Sequence, residues 1–136
     1  MLESVVATRR EDFDSHGRIS DVACFTYLEE LFAHGLDEVL GQNWVTVRVE
    51  LERGPNSDLG DGEVRAEAWL ERAGRSSLSF GVAIRGLDGP VAQGRVVLVA
   101  WDPEARGSRA LTPAEVEHLR LTASSPESVD TDAVER

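Results

Sequence analysis

The chain has no lysine; all 14 of its bases are arginine. Codon bias alone produces such a pattern, although guanidinium also suits phosphate recognition. There is a single cysteine, Cys24, so no internal disulfide can form and the expected compartment is the cytoplasm. No stretch approaches the ~18 consecutive apolar residues of a membrane span, and the basic-then-apolar order of a signal peptide is missing from the N-terminus. The three histidines and the cysteine show no metal-ligand spacing, so neither a metal nor any other cofactor is expected. The lack of a Gly-x-Ser-x-Gly elbow argues against an α/β-hydrolase serine enzyme. Without a glycine-rich loop ending in lysine a P-loop is excluded. Bases are outnumbered by 25 acids, for a net charge of −11, which argues against nucleic acid as the main partner.

What is present is one ordinary globular domain. At 136 residues, with 41% hydrophobic and 29% charged residues, the chain can bury a real core. Residues 2–11 read as a strand that runs into two carboxylates, Asp12 and Asp14, and a Ser-His-Gly loop. The spacing then predicts a long helix over residues 22–40. In it Phe25, Leu28, Phe32, Leu36 and Val39 fall at steps of one buried face. Ser20 suits the N-cap; Gly35 lies inside the helix and Gly41 is its stop. Residues 44–51 alternate, placing Val45, Val47, Val49 and Leu51 on one face. After a turn cluster over residues 54–62, residues 64–70 and 78–84 alternate again, separated by a hairpin loop carrying Arg72 and Arg75. Leu87-Asp88-Gly89 reads as a further hairpin. Residues 92–101 form a nearly continuous apolar strand, the pattern of burial on both faces. Thr112-Pro113 opens a short helix ending near Leu121. The Ser-, Asp- and Glu-rich remainder, residues 122–136, is expected to be disordered. That tail is not the source of the acidity, because removing its net −3 still leaves −8. One strand, one long helix and four long strands define an α+β layer over residues 1–121.

The stretch from Asp12 to the helix resembles the 4-hydroxybenzoyl-CoA thioesterase family of hotdog-fold proteins. That pattern runs Asp-x-Asp-x-x-Gly-His-x-Asn-Asn and, after two residues, Tyr, then an apolar residue, two more and often Glu-Glu. The chain matches at Asp12, Asp14, Gly17, Ile19, Tyr27, Leu28, Glu29 and Glu30. It departs at Arg18 (often His), at Ser20 and Asp21 (often Asn) and at Cys24 (often Tyr). The resemblance implies an antiparallel sheet wrapped around one long helix, a homodimer or homotetramer, and hydrolysis of an acyl-CoA or acyl-carrier-protein thioester. Coenzyme A would then enter as part of the substrate, and neither nucleic acid nor membrane would be a partner.

By that resemblance Asp14 stands where these enzymes carry their catalytic carboxylate, able to attack the thioester or to take a proton from water. A strand closing at a polar turn uses the same residues. If strand geometry persists, Asp12 and Asp14 share a face and repulsion raises one pKa. The amide at Asp21, in the first helical turn, is the candidate oxyanion donor, although its own carboxylate places negative charge there. His16 is close enough to Asp14 to position water. Phe13, Gly17, Arg18 and Phe25 are candidate substrate contacts. Arg72, Arg75 and Ser76 correspond to a hairpin that contacts coenzyme A phosphates in similar proteins. Two other readings stay open: a non-hydrolytic hotdog protein binding an acyl or aromatic ligand, and a cyclase or dehydratase acting on a tethered polyketide.

Overall fold

The computed structural model describes residues 1–54, 62–87 and 89–126. Strand β1 (Leu2–Ala7) leads through one 3-10 turn (Arg10–Asp12) and a loop into helix α1 (Asp21–Gly35) and the four-residue α2 (Asp37–Leu40). Then come β2 (Trp44–Arg53), β3 (Glu63–Ala73), β4 (Ser77–Gly86), β5 (Gly89–Asp102), the two-residue β6 (Gly107–Ser108) and α3 (Pro113–Thr122). Every pairing is antiparallel, and the order across the sheet is β1-β3-β4-β5-β2, with β6 on β5. The three consecutive strands β3, β4 and β5 form the middle, while β1 and β2 take opposite edges. The segment containing α1 therefore crosses the concave face of the sheet.

The alternation of the sequence explains which face is concave. Val64, Ala66 and Ala68 of β3, Leu78, Phe80, Val82 and Ile84 of β4, and Ala92, Val96 and Leu98 of β5 are all buried. Against them α1 presents Tyr27, Leu28, Leu31 and Phe32, also buried. Burying a side chain of this size stabilises the fold by about 1.5–3 kcal/mol. The Phe32 ring sits 5.0 Å from that of Phe80 and meets Trp44 edge-on at 6.4 Å.

Four features differ from the pattern read in the sequence. The long helix stops at Gly35, and Leu36 (φ −101°, ψ 0°) breaks it before α2. A Cβ on Gly35 would lie 2.9 Å from Leu2 Cδ1, so a larger residue there would have to push the Leu2 side chain aside. Second, the buried face is rotated from the 25-28-32-36-39 stripe toward Cys24, Tyr27 and Leu31, and Phe25 is left 47% exposed. Third, β2 carries a bulge at Val47: Thr46 pairs with Leu98 and Arg48 with Val97. A bulge flips the parity of the strand beyond it, so Val49, Leu51 and Arg53 turn to the concave face and Val45 does not. Fourth, Val97, Val99 and Trp101 on the convex face of β5 are only half-buried.

The end of the chain also differs. Helix α3 starts with a capping box, in which Glu115 N donates to Thr112 Oγ1 at 3.1 Å and Thr112 N to Glu115 Oε1 at 2.8 Å. Arg109 bonds both Glu115 oxygens at 2.9 and 2.7 Å, and those bonds hold the Glu115 carboxyl down to about 2. The helix includes Thr122. Ala123 is fully buried and its carbonyl accepts from Leu70 N at 2.7 Å. The domain boundary expected after Leu121 is therefore too early, because Thr122 and Ala123 belong to the domain. The rest of the expected tail, residues 127–136, lies outside the described residues, as do residues 55–61 of the expected turn cluster and Asp88. We predict that a chain ending at Leu121 melts several degrees below one ending at Pro126, the scale of about 1 kcal/mol from a lost hydrogen bond and lost burial. Equal melting temperatures would contradict the packing of Ala123.

Candidate active site

The loop between β1 and α1 is built on two carboxylates that point apart. Asp12 closes the 3-10 turn and is 4% exposed. Its Oδ2 accepts from Tyr27 Oη at 2.7 Å and from Arg9 N at 2.8 Å, and its carbonyl accepts from Ser20 N at 2.8 Å. Burial, reinforced by the hydrogen bond to Asp12 and its charge, pushes the Tyr27 hydroxyl pKa up, so Tyr27 remains a donor. Asp14, two residues on, faces solvent. Its Oδ1 accepts from His16 N at 2.8 Å and Arg18 N at 3.0 Å, while Asp14 N donates to Arg18 O at 2.7 Å and Gly17 N to Asp14 O at 3.0 Å. Gly17 has φ +75°, a conformation glycine adopts without steric cost. The bond from the Arg18 amide, then that from His16, with the positive charge of both residues, holds the Asp14 pKa below its ordinary value. The expected shared face with mutual repulsion is thus corrected: the 3-10 turn separates the two carboxylates, one structural and one exposed.

Helix α1 begins beside this loop. Ser20 Oγ accepts from Ala23 N at 3.0 Å and Ser20 O from Cys24 N at 3.1 Å. Of the four amides that open a helix without an intrahelical partner, those of Asp21 and Val22 are left over among the described residues. Phe13 bridges to Ile19 across the loop and packs half-buried on the core. Phe25 stands one turn into α1, at the mouth of a cavity of about 100 Å³ bounded by Leu28, Glu29 and Phe32 on the helix and Thr46, Val49 and Val96 on the sheet.

Asp14, His16, Gly17 and Arg18 therefore share one turn, with Asp21 next to it at the helix start. Arg72, Arg75 and Ser76 do not join them within one chain. They sit on the β3–β4 hairpin, where the Arg75 carbonyl accepts from Leu111 N and that of Ser76 from Ala100 N. Ala100 pairs with Trp44 at the start of β2, whereas Arg53 at its other end reaches Asp21. Ten residues of strand separate these ends by roughly 30 Å. Both hairpin arginines are exposed and in no ion pair among the described residues. Cys24 is fully buried and burial pushes its thiol pKa up. Among the described residues no cluster of three or more His, Cys, Asp or Glu could hold a metal ion, and no helix is long and apolar enough to cross a membrane.

One residue at the site has no signal in the sequence. Arg53 Nη1 lies 2.5 Å from Asp21 Oδ1, and its Nη2 donates to the Ile19 carbonyl. Only the bulge at Val47, which simple alternation does not reveal, turns Arg53 toward α1.

Solved structures share this architecture. A predicted thioesterase from Bacillus stearothermophilus superposes with a TM-score of 0.82 at 19% identity, over 92% of this chain and 98% of that one. A thioesterase from Thermus thermophilus, complexed with coenzyme A and Zn, gives 0.77 at 25% identity over 91% and 95%. A hexameric broad-specificity acyl-coenzyme A thioesterase gives 0.70 at 21% identity over 87% and 93%. No protein-family model matches the chain, and no curated protein matches its sequence. The chain has the hotdog fold. Within that fold, these similar structures are thioesterases.

The geometry of the loop yields a stability prediction. Tyr27→Phe removes a donor from a buried carboxylate, so it should destabilise the domain by about 1–3 kcal/mol. An unchanged denaturant midpoint would show that Asp12 does not need Tyr27.

Proposed function

We propose that the protein is a thioesterase that hydrolyses an acyl-CoA, in the manner of the 4-hydroxybenzoyl-CoA thioesterase family it resembles. The observation that carries this reading is an exposed carboxylate, Asp14, kept ionised by backbone amides beside the open first turn of α1. The thioester carbonyl oxygen points at the free amides of Asp21 and Val22. Asp14 takes a proton from water, whose oxygen attacks the carbonyl carbon, and the negative charge that develops on the carbonyl oxygen is held by the amides. The intermediate collapses by breaking the C–S bond, and the departing thiolate receives the proton. Direct attack by Asp14, giving an anhydride that water then opens, uses the same positions. His16 and Arg18 shape the turn through their amides, Gly17 permits it, and Phe13 and Phe25 flank the acyl chain, which enters the cavity behind Phe25.

The coenzyme A end of the substrate needs a second copy of the chain. Strand β2 is an edge, and beside it Val47, Val49, Phe25 and Val22 are 57%, 38%, 47% and 73% exposed. Antiparallel pairing of two β2 edges about a twofold axis covers this strip. It also brings the Trp44 end of one strand to the Arg53 end of the other. The partner's hairpin, with its two uncommitted arginines, then meets the Asp14 loop, supplying local positive charge on an acidic protein.

Light scattering at micromolar concentration should give at least the mass of a dimer, and a monomer would remove the proposed coenzyme A site. Asp14→Asn should keep the fold and acyl-CoA affinity but lower kcat by on the order of 10², the scale of a lost general base. Because the Asp14 pKa is lowered, its ionised form persists as pH falls, so kcat/KM should stay level through weak acid and decline only below about pH 4. Wild-type turnover in Asp14→Asn would sink the assignment, and a kcat/KM that falls already near neutral pH would show that a group other than Asp14 is the base. A wild type that binds acyl-CoA without turning it over would establish a binding protein instead.

A further inference from the structure

Asp21 poses a problem for the proposed chemistry. It stands in the first turn of α1, beside the two open amides, where its carboxylate opposes an anion forming on the thioester oxygen. The chain supplies its own counter-charge. Arg53 is the last residue of β2, and its two terminal nitrogens are both committed to the start of α1, one to the Asp21 carboxylate at 2.5 Å and one to the Ile19 carbonyl. The planar fork of a guanidinium suits such a double grip. The side chain is only 24% exposed, and Nε is buried with no hydrogen-bond partner among the described residues. An apolar side chain of similar length would fill that space without leaving a donor unsatisfied. Arginine at this position is therefore better explained by its charge than by packing. The buried Cys24 thiol feels both groups, Arg53 lowering and Asp21 raising its pKa against the larger effect of burial, which places the ion pair against the first turn itself.

We infer that Arg53 is a positioning residue for thioester hydrolysis: it cancels the charge of Asp21 and ties the first turn of α1 to β2, so that the open amides face the reacting carbonyl as a net positive end. This rests on the thioesterase reading above. A role confined to holding the fold together predicts something different, because removing Asp21 would then not repair the loss of Arg53.

The test compares wild type, Arg53→Met, Asp21→Asn and the double variant on the best acyl-CoA at low salt, with kcat, KM and melting temperature for each. Arg53→Met should lower kcat about tenfold with KM within about twofold, the signature of an interaction felt in the transition state. Added salt should shrink that loss, because the carboxylate left behind is exposed. Asp21→Asn should turn over faster than wild type, and the double variant should recover most of the turnover lost in Arg53→Met. Should Arg53→Met fail to fold, Arg53→Lys, which keeps the charge without the fork, should stay within about threefold of wild-type kcat. A double variant as slow as Arg53→Met, or a folded Arg53→Lys about tenfold slow with no gain on adding Asp21→Asn, overturns the inference while leaving the thioesterase reading standing. A wild type with no turnover on any thioester overturns that reading and this assignment together.

Discussion

The hydrogen bond from Tyr27 to the buried Asp12 carboxylate is the contact on which the arrangement of the site depends. It joins the loop that leaves β1 to the middle of α1, across fifteen residues of sequence. The same residue holds the loop by its backbone, since Asp12 O takes the Ser20 amide just before the helix starts. With both ends fixed, the residues between have little choice. They close a tight turn on Asp14, which stays outside because Asp12 has gone in. Of the four helix-opening amides the Ser20 hydroxyl then takes that of Ala23 and Asp12 O that of Ser20, which leaves two. Core packing against β3 and β4 sets the axis of α1, while Asp12 and Ser20 set where the helix starts.

Charge is handled separately on each face. On the convex face acids and arginines alternate across strands: Arg85 with Glu67 and Arg95 with Glu71, each at 2.8 Å, and Arg65 with Glu3 at 3.8 Å. Glu67 is buried, whereas the Arg95–Glu71 and Arg65–Glu3 pairs are exposed and contribute little, about 0–1 kcal/mol, but all three use up positive charge. On the concave side one arginine, Arg53, is spent on Asp21. At the β3–β4 hairpin Arg72 and Arg75 have no carboxylate partner among the described residues, which is why the proposed coenzyme A contact falls to them.

Much of this was legible in the sequence. Alternation in β3 and β4 marks the buried face correctly, because both strands are regular where they cover α1. The helix and its serine cap were legible because period and cap chemistry agree. Other features were hidden for identifiable reasons. Apolar residues at 45, 47, 49 and 51 look like one face, yet a single bulge divides them, and valine suits either side of a strand. Without that bulge the inward turn of Arg53 has no sign. The break at Leu36, one residue after Gly35, interrupts an apolar period that runs on through Leu36 and Val39. The opposite fates of Asp12 and Asp14 depend on a 3-10 turn that three polar residues, Arg10, Glu11 and Asp12, do not announce. Nothing in the order of residues shows that one chain alone holds Arg72, Arg75 and Ser76 at the far end of the sheet from Asp14.

The proposed chemistry requires a thioester between Asp14 and the open end of α1. A structure determined with a non-hydrolysable acyl-CoA analogue would show whether one binds there. The expected result is a carbonyl oxygen within hydrogen-bond distance of the Asp21 or Val22 amide, with the carbonyl carbon facing the Asp14 carboxylate. An analogue bound on the convex face of the sheet, or with its carbonyl turned away from α1, would overturn the proposal.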